Sequence, residues 1–180
     1  MHRVLFLFTI FLSACSAQAE KPKGGILGLK APPISADQWV SLPAGTKAPT
    51  PESLKGKVIY LYCFQSWCPG CHSSGFPTLQ KVSTHFQDDK AVQCITIQTV
   101  FEGFGTNTSE KALAVAKKYK LTGIPVGHSG SKVKRSTIMS GFKTRGTPWT
   151  IIIGKDGVVK YNDFHIKPAA AIKLIDELKK

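Results

Sequence analysis

The 180-residue chain reads as an α/β protein of three layers, with helices on both faces of a mixed central sheet and an N-terminal extension. Three observations predict this. Continuous apolar, β-forming runs at Val58–Phe64 and at 91–101 are each followed by a stretch with helical spacing, the pattern of parallel strands joined by helical crossovers. A later pair of apolar runs flanks Lys155-Asp156-Gly157 and reads as a hairpin. Finally, Trp67-Cys68-Pro69-Gly70-Cys71-His72 stands just after the first strong strand, where a helix should open.

Taken in order, Met1-His2-Arg3 is a short positive segment, residues 4–12 are apolar, and small residues follow, as in an export signal. The apolar run is shorter than the ~20 residues a membrane-spanning helix needs. Two processing readings compete. Leu12-Ser13-Ala14-Cys15 fits a bacterial lipobox with Cys15 as the acylated residue, whereas Ala17-Gln18-Ala19 fits an ordinary signal-peptidase site before Glu20. The expected organisation is therefore a signal over 1–19, an N-terminal arm over 20–57 that packs on the core, and one domain over 58–180. Such a protein is extracytoplasmic, in a periplasm or similar compartment, and touches membrane only through a lipid on Cys15.

Val58–Phe64 is apolar throughout, as expected of a strand covered on both faces. Phe76, Leu79, Val82 and Phe86 then recur at helical spacing over 71–86, with a kink expected at Pro77, which lacks a backbone N–H. The second strand, at 91–101, leads through a glycine-rich loop to a helix that Asn107 and Glu110 should cap, ending near Leu121. A short strand at 124–126 and a short helix at 134–140 follow. The hairpin strands are Trp149–Ile153 and 158–164, and a last helix starts near Pro168 with Ile172, Ile175 and Leu178 on one face.

Two cysteines separated by two residues at a strand-to-helix junction serve dithiol/disulfide exchange. Free N–H groups and the dipole at a helix start favour an anion, so Cys68 is the expected attacking thiolate and Cys71 the resolving thiol. His72 leaves a second reading open, because Cys-x-x-Cys-His also tethers a c-type haem. A zinc site would need two further ligands near the pair, and Cys63 and Cys94 instead sit in apolar strands. The net charge of +13 comes from scattered lysines without a nucleic-acid motif, so no nucleic-acid partner is expected.

From Leu54-Lys55-Gly56-Lys57 through Trp67-Cys68 and Cys71 to Gly146-Thr147-Pro148-Trp149 and Ile153-Gly154-Lys155-Asp156-Gly157, the chain resembles the exported, TlpA-type thiol–disulfide oxidoreductases of thioredoxin fold. The resemblance covers roughly residues 50–180 and implies a thioredoxin-like domain. It implies that Cys68 and Cys71 are catalytic, that Trp67, Thr147 and Pro148 shape the substrate site, and that Pro148 is the cis proline facing the dithiol. Pro125 in Gly123-Ile124-Pro125 is the weaker match, since no strand and hairpin follow it as the family requires. The implied partners are disulfide-containing or dithiol proteins and an upstream electron donor or acceptor, working in the reducing direction. No cofactor or metal is implied. The sequence departs from the family in three places. Tyr62 stands where ordinary thioredoxins bury an acid, the helix proline comes one residue late after Cys71, and Ser73-Ser74-Gly75 lacks the helix glutamate. Proton transfer must then use something else, such as water or Glu102 at the end of the second strand, for which a solvated loop position is the more ordinary role. Peroxidase chemistry finds no Pro-x-x-x-Thr-x-x-Cys run before Cys68. A non-catalytic peptide-binding module of the same fold is the other alternative.

Overall fold

The computed structural model describes residues 25–180. The expected signal over 1–19 and the expected lipid site at Cys15 lie outside the described residues. The elements are β1 (Gln38–Ser41), α1 (Pro51–Leu54), β2 (Val58–Phe64), a π-helical turn (Cys71–Gly75), α2 (Phe76–His85), β3 (Val92–Thr99), α3 (Ser109–Lys118), β4 (Val126–Ser129), α4 (Thr137–Phe142), β5 (Trp149–Ile153), β6 (Val159–Asp163) and α5 (Pro168–Lys179).

Six strands form one sheet in the order β1-β4-β3-β2-β5-β6. β2, β3 and β4 are parallel, joined by crossovers through α2 and α3, while β1, β5 and β6 add antiparallel neighbours. This is the mixed thioredoxin-like sheet with flanking helices. The side-chain period of two divides β2 between two cores. Tyr60, Tyr62 and Phe64 face Phe76, Leu79 and Val82 of α2 and Ile175 of α5. Ile59, Leu61 and Cys63 face Ile138 and Phe142 of α4, Trp149 and Ile151 of β5, and Ile34 of the arm. All seven residues of β2 are buried, so the strand needs no polar face. Fully burying one such large apolar side chain contributes about 1.5–3 kcal/mol.

The arm supplies the cover on the α4 side. Lys30 bridges Val158 at one edge, Ile26 and Ile34 enter the core, and β1 pairs with β4 at the other edge. Asn162 secures the far end of that core, accepting from Trp149 Nε1 at 2.6 Å and donating to the Phe142 carbonyl at 3.0 Å.

Four sequence expectations shift. The helix after Cys71 is irregular before Pro77 rather than at it: Cys71–Gly75 forms a π-helical turn within a continuous helical run from Pro69 to His85, and the widened turn comes just ahead of Pro77, which has no N–H to give the ladder. Thr108, not Asn107, caps α3, its hydroxyl accepting from Lys111 N, because the Asn107 side chain is committed elsewhere. β4 begins at Val126, after Pro125, whose carbonyl still pairs with Thr96 N at 3.0 Å. α4 begins at Thr137 because the Ser131 hydroxyl and carbonyl-to-amide bonds hold 131–134 in a turn and Ser136 is the cap.

Candidate active site

Every parallel strand ends on the same side of the sheet, and the loops that leave it carry the chemistry. From the end of β2 the chain turns through Gln65, Ser66 and Trp67, and Cys68 stands immediately before the helical residues Pro69 and Gly70. The Cys68 carbonyl accepts from Cys71 N at 3.1 Å and from His72 N at 3.4 Å, which closes the first turn. Cys71 is therefore one turn on and fully buried, whereas Cys68 keeps 8% of its surface exposed. Cys68 is thus the more exposed of the two thiols.

The loop ahead of β5 forms the facing wall. Thr147-Pro148 is a cis peptide bond, and the Thr147 carbonyl lies 3.6 Å from Cys68 Sγ. A Cβ built on Gly70 would lie 3.3 Å from Pro148 Cδ, so the proline packs on the backbone between the cysteines. Pro125 is not cis, and β4 follows it. Trp67 is half exposed beside the dithiol, next to Gly103 of the β3–α3 loop, where an added Cβ would come within 3.2 Å of Trp67 Nε1. The structure thus gathers Trp67, Cys68, Cys71, Thr147 and Pro148 at one place.

No protein-family model and no curated protein matches the chain. Among solved structures, the thioredoxin-like superfamily protein SPOA0173 is 31% identical with a TM-score of 0.73, over 83% of this chain and 96% of that one. This chain belongs to the thioredoxin-like superfamily. A thiol-disulfide isomerase from Corynebacterium glutamicum is similar at 25% identity and a TM-score of 0.70, over 83% of this chain and 97% of that one. The thiol:disulfide interchange protein of the thioredoxin family from Chlorobium tepidum TLS shares the fold at 18% identity and a TM-score of 0.60, over 84% and 96% of the two chains.

Against that thioredoxin-like frame, Tyr62 is the distinctive residue. Its hydroxyl donates to the Cys71 carbonyl at 3.3 Å, and a Cβ on Gly75 would lie only 2.0 Å from the same oxygen. The glycine and the π-helical turn make room for the hydroxyl beneath the dithiol. Burial is the main cause that pushes the Cys71 thiol up to about 12, with Cys68 adding to the rise and the Gln65 backbone and the Tyr62 hydroxyl opposing it. Burial likewise lifts the Tyr62 phenol well above its ordinary value, with Cys71 adding to it, so Tyr62 stays a neutral donor. Sequence reading noted Tyr62 only as a missing acid. The usable signal was Gly75, a residue without a side chain on a helix face that should be packed. Glu102 is exposed, and among the described residues no hydrogen bond joins its carboxylate to either cysteine.

His72 is half-buried, and both of its ring nitrogens have partners. A carbonyl only accepts, so Nε2 donates to the Ser66 carbonyl at 2.7 Å and, in the neutral ring, Nδ1 accepts from the Tyr119 hydroxyl at 2.8 Å. The ring also packs on Tyr119 at 5.7 Å and on Phe76 at 5.6 Å between centroids. With both nitrogens engaged, His72 does not fit the axial ligand that the haem reading requires. Cys63 and Cys94 are buried in β2 and β3, as their apolar runs suggested; burial pushes the Cys94 thiol up to about 12. Among the described residues no three His, Cys, Asp or Glu side chains group as metal ligands.

A buried polar frame, which no motif or periodicity announces, holds the loop before Cys68. Asn107 accepts from Ser66 N at 2.8 Å and donates to the Glu102 and Gly103 carbonyls at 3.1 and 3.3 Å. Gln98 accepts from the Ser66 hydroxyl and donates to the Thr108 carbonyl at 2.9 Å. Strand β3 and the β3–α3 loop are thereby tied to the loop that carries Cys68.

Proposed function

We propose that this protein is an extracytoplasmic thiol–disulfide oxidoreductase that reduces disulfides in protein substrates through Cys68 and Cys71. The observation that carries the reading is the unequal dithiol: Cys68 is the accessible thiol at a helix start beside the Thr147 carbonyl, and Cys71 is sealed one turn behind it. The names of similar proteins, an isomerase and an interchange protein, support the same class.

In the proposed cycle the Cys68 thiolate attacks one sulfur of the substrate disulfide, forming a mixed disulfide. The electron pair of the broken S–S bond leaves on the second substrate sulfur, which takes a proton from water. Cys71 then loses its proton to solvent and attacks Cys68 Sγ. The first substrate sulfur departs as a thiolate and is protonated, and Cys68–Cys71 closes as a disulfide. Two electrons pass from the protein to the substrate, and an upstream dithiol donor must return them. Trp67, Thr147 and Pro148 form the surface on which the substrate segment lies, with backbone pairing along the Thr147 strand edge. Export belongs to the same proposal, either by a lipoprotein signal that ends before an acylated Cys15 or by a signal cleaved before Glu20, and would place the domain where protein disulfides persist.

Reduction of insulin disulfides with dithiothreitol as donor tests the assignment. Cys68→Ser is expected to abolish turnover, and Cys71→Ser to trap a mixed disulfide with the substrate, visible by non-reducing electrophoresis. Insulin reduction by Cys68→Ser at the parent rate would sink the mechanism. A potential for the Cys68–Cys71 couple near that of strong oxidants, ~−120 mV, would reverse the proposed direction, whereas one near ~−270 mV supports it. Parent protein that binds peptides without turnover would instead make this a binding module.

A further inference from the structure

A groove of about 630 Å³ opens among the β3–α3 loop, the loop between β4 and α4, and the segment leading to the cis proline. Its apolar lining includes Val100, Phe101, Phe104 and Met139, and its other walls carry Lys132, Lys134, Arg135 and Arg145. All four cations are exposed, and no carboxylate is among the lining residues. Asp37 pairs with Lys134 at 2.5 Å, but among the described residues no carboxylate pairs with Lys132, Arg135 or Arg145. Glu102, the acid of the adjoining loop, does not line the groove.

The position ties this groove to the reacting sulfur. Arg145 is two residues before Thr147, whose carbonyl touches Cys68, and the loop bearing Phe101 and Phe104 packs through Gly103 against Trp67. Phe101, Phe104 and Val133 are exposed at 37%, 39% and 94%, an apolar surface that a monomer gains nothing by showing to water. A polypeptide joined to Cys68 through sulfur would run from the Thr147 edge into this groove within a few residues.

Given the oxidoreductase reading on which this rests, we propose that the groove selects the substrate: it takes an acidic polypeptide segment flanking the substrate cysteine, with a large apolar residue on the Phe101–Phe104 floor and Asp or Glu side chains against Lys132, Arg135 and Arg145. Charges at the rim of such a site act mainly by steering association, so selectivity appears in the second-order rate constant and fades with salt.

The test uses the pre-reduced full chain in single turnover with two synthetic peptides. Each carries one cysteine as a mixed disulfide with 2-thiopyridine, whose release is read optically. One peptide has leucine with Asp and Glu around the cysteine, and the other replaces the acids by lysine. The acidic peptide is expected to react at least ~10-fold faster at low salt, with the gap closing near 0.5 M salt. Lys132→Glu/Arg135→Glu should cancel or invert the preference. Lys47→Glu/Lys55→Glu, which changes net charge equally at the opposite end of the sheet, should keep it. Equal rates for the two peptides overturn the inference, and so does a preference that both double variants reduce alike, since that belongs to net charge. Binding of phosphatidylglycerol vesicles, or dimerisation, that Lys132→Glu/Arg135→Glu abolishes without any peptide preference would assign the face to a membrane or a second copy, and overturns it too. The neutral disulfide of 2-mercaptoethanol separates the two levels. Its reduction at unchanged rate in all variants leaves the oxidoreductase reading standing whichever way the groove test falls, whereas no reaction with it defeats that reading first.

Discussion

At the residue scale, the Tyr62–Gly75 pair is the most specific feature of the site. The Tyr62 hydroxyl donates to the carbonyl of Cys71, the residue whose buried thiol must lose a proton in the second half of the proposed cycle, and burial holds that thiol up to about 12. A neutral phenol cannot accept that proton, but its one O–H can turn from the Cys71 carbonyl to the thiolate as that forms, which offsets part of the cost of a buried anion. Tyr62→Phe is therefore expected to slow release of the mixed disulfide by ~10-fold, the equivalent of about 1.4 kcal/mol, while formation of the mixed disulfide is unchanged. Rapid acid-quench with non-reducing separation measures both steps, and an unaltered lifetime would remove Tyr62 from the mechanism. Gly75→Ala tests the cradle from the other side. Its Cβ would overlap the phenol oxygen, so destabilisation by about 1–3 kcal/mol is expected in urea unfolding.

Among the elements, the strand-to-helix junction after β2 is the one held from several directions at once. His72 bonds back to the Ser66 carbonyl from within the π-helical turn, and Asn107 bonds to Ser66 N from the loop before α3. The hydrogen bonds of Asn107 and Thr108 distinguish two roles that the sequence had merged into one cap. Thr108→Ala removes one exposed N-cap bond of α3 and should cost about 1 kcal/mol. Asn107 is 1% exposed and its loss leaves the Ser66 amide with less support, so Asn107→Ala should cost about 2–3 kcal/mol. Urea titration of the two variants checks the order, and a larger loss for Thr108→Ala would contradict it.

On the scale of the whole molecule, buried thiols give the fold a defined weakness in alkali. Cys71 and Cys94 are held up to about 12 by burial, and Cys63 is raised in the same direction, whereas an unfolded thiol titrates near ~8.5. Above that lower value the folded chain binds more protons than the unfolded chain, so stability is intact below about pH 8.5 and falls as the pH climbs toward 12. Unfolding free energies in reductant at about pH 7.5, 9 and 10.5 should decline by up to about 1.4 kcal/mol per pH unit for each such thiol. Cys94→Ala should flatten that slope although it lowers the starting stability, and an unchanged slope would exclude Cys94 as a contributor.

The same scale shows where sequence patterns sufficed. β2 and β5 came out with their observed bounds because burial on both faces demands an unbroken apolar run, and α5 because Pro168 and its apolar spacing mark a helix start. Cys68-Pro69-Gly70-Cys71 stood out because dithiol exchange needs two cysteines at that spacing beside a helix start, whereas Pro148 was picked out by the family resemblance alone. What periodicity could not carry was the meeting of residues distant in sequence. Whether Asn107 caps its own helix or braces Ser66, whether His72 faces solvent or joins Ser66 to Tyr119, and whether Phe101 and Arg145 share a groove all depend on which loops the sheet brings to one end. Local pattern specifies strands and helices because hydrophobic burial repeats along the chain. Polar partnerships and the charge of a shared groove are settled only when strand order places the loops side by side.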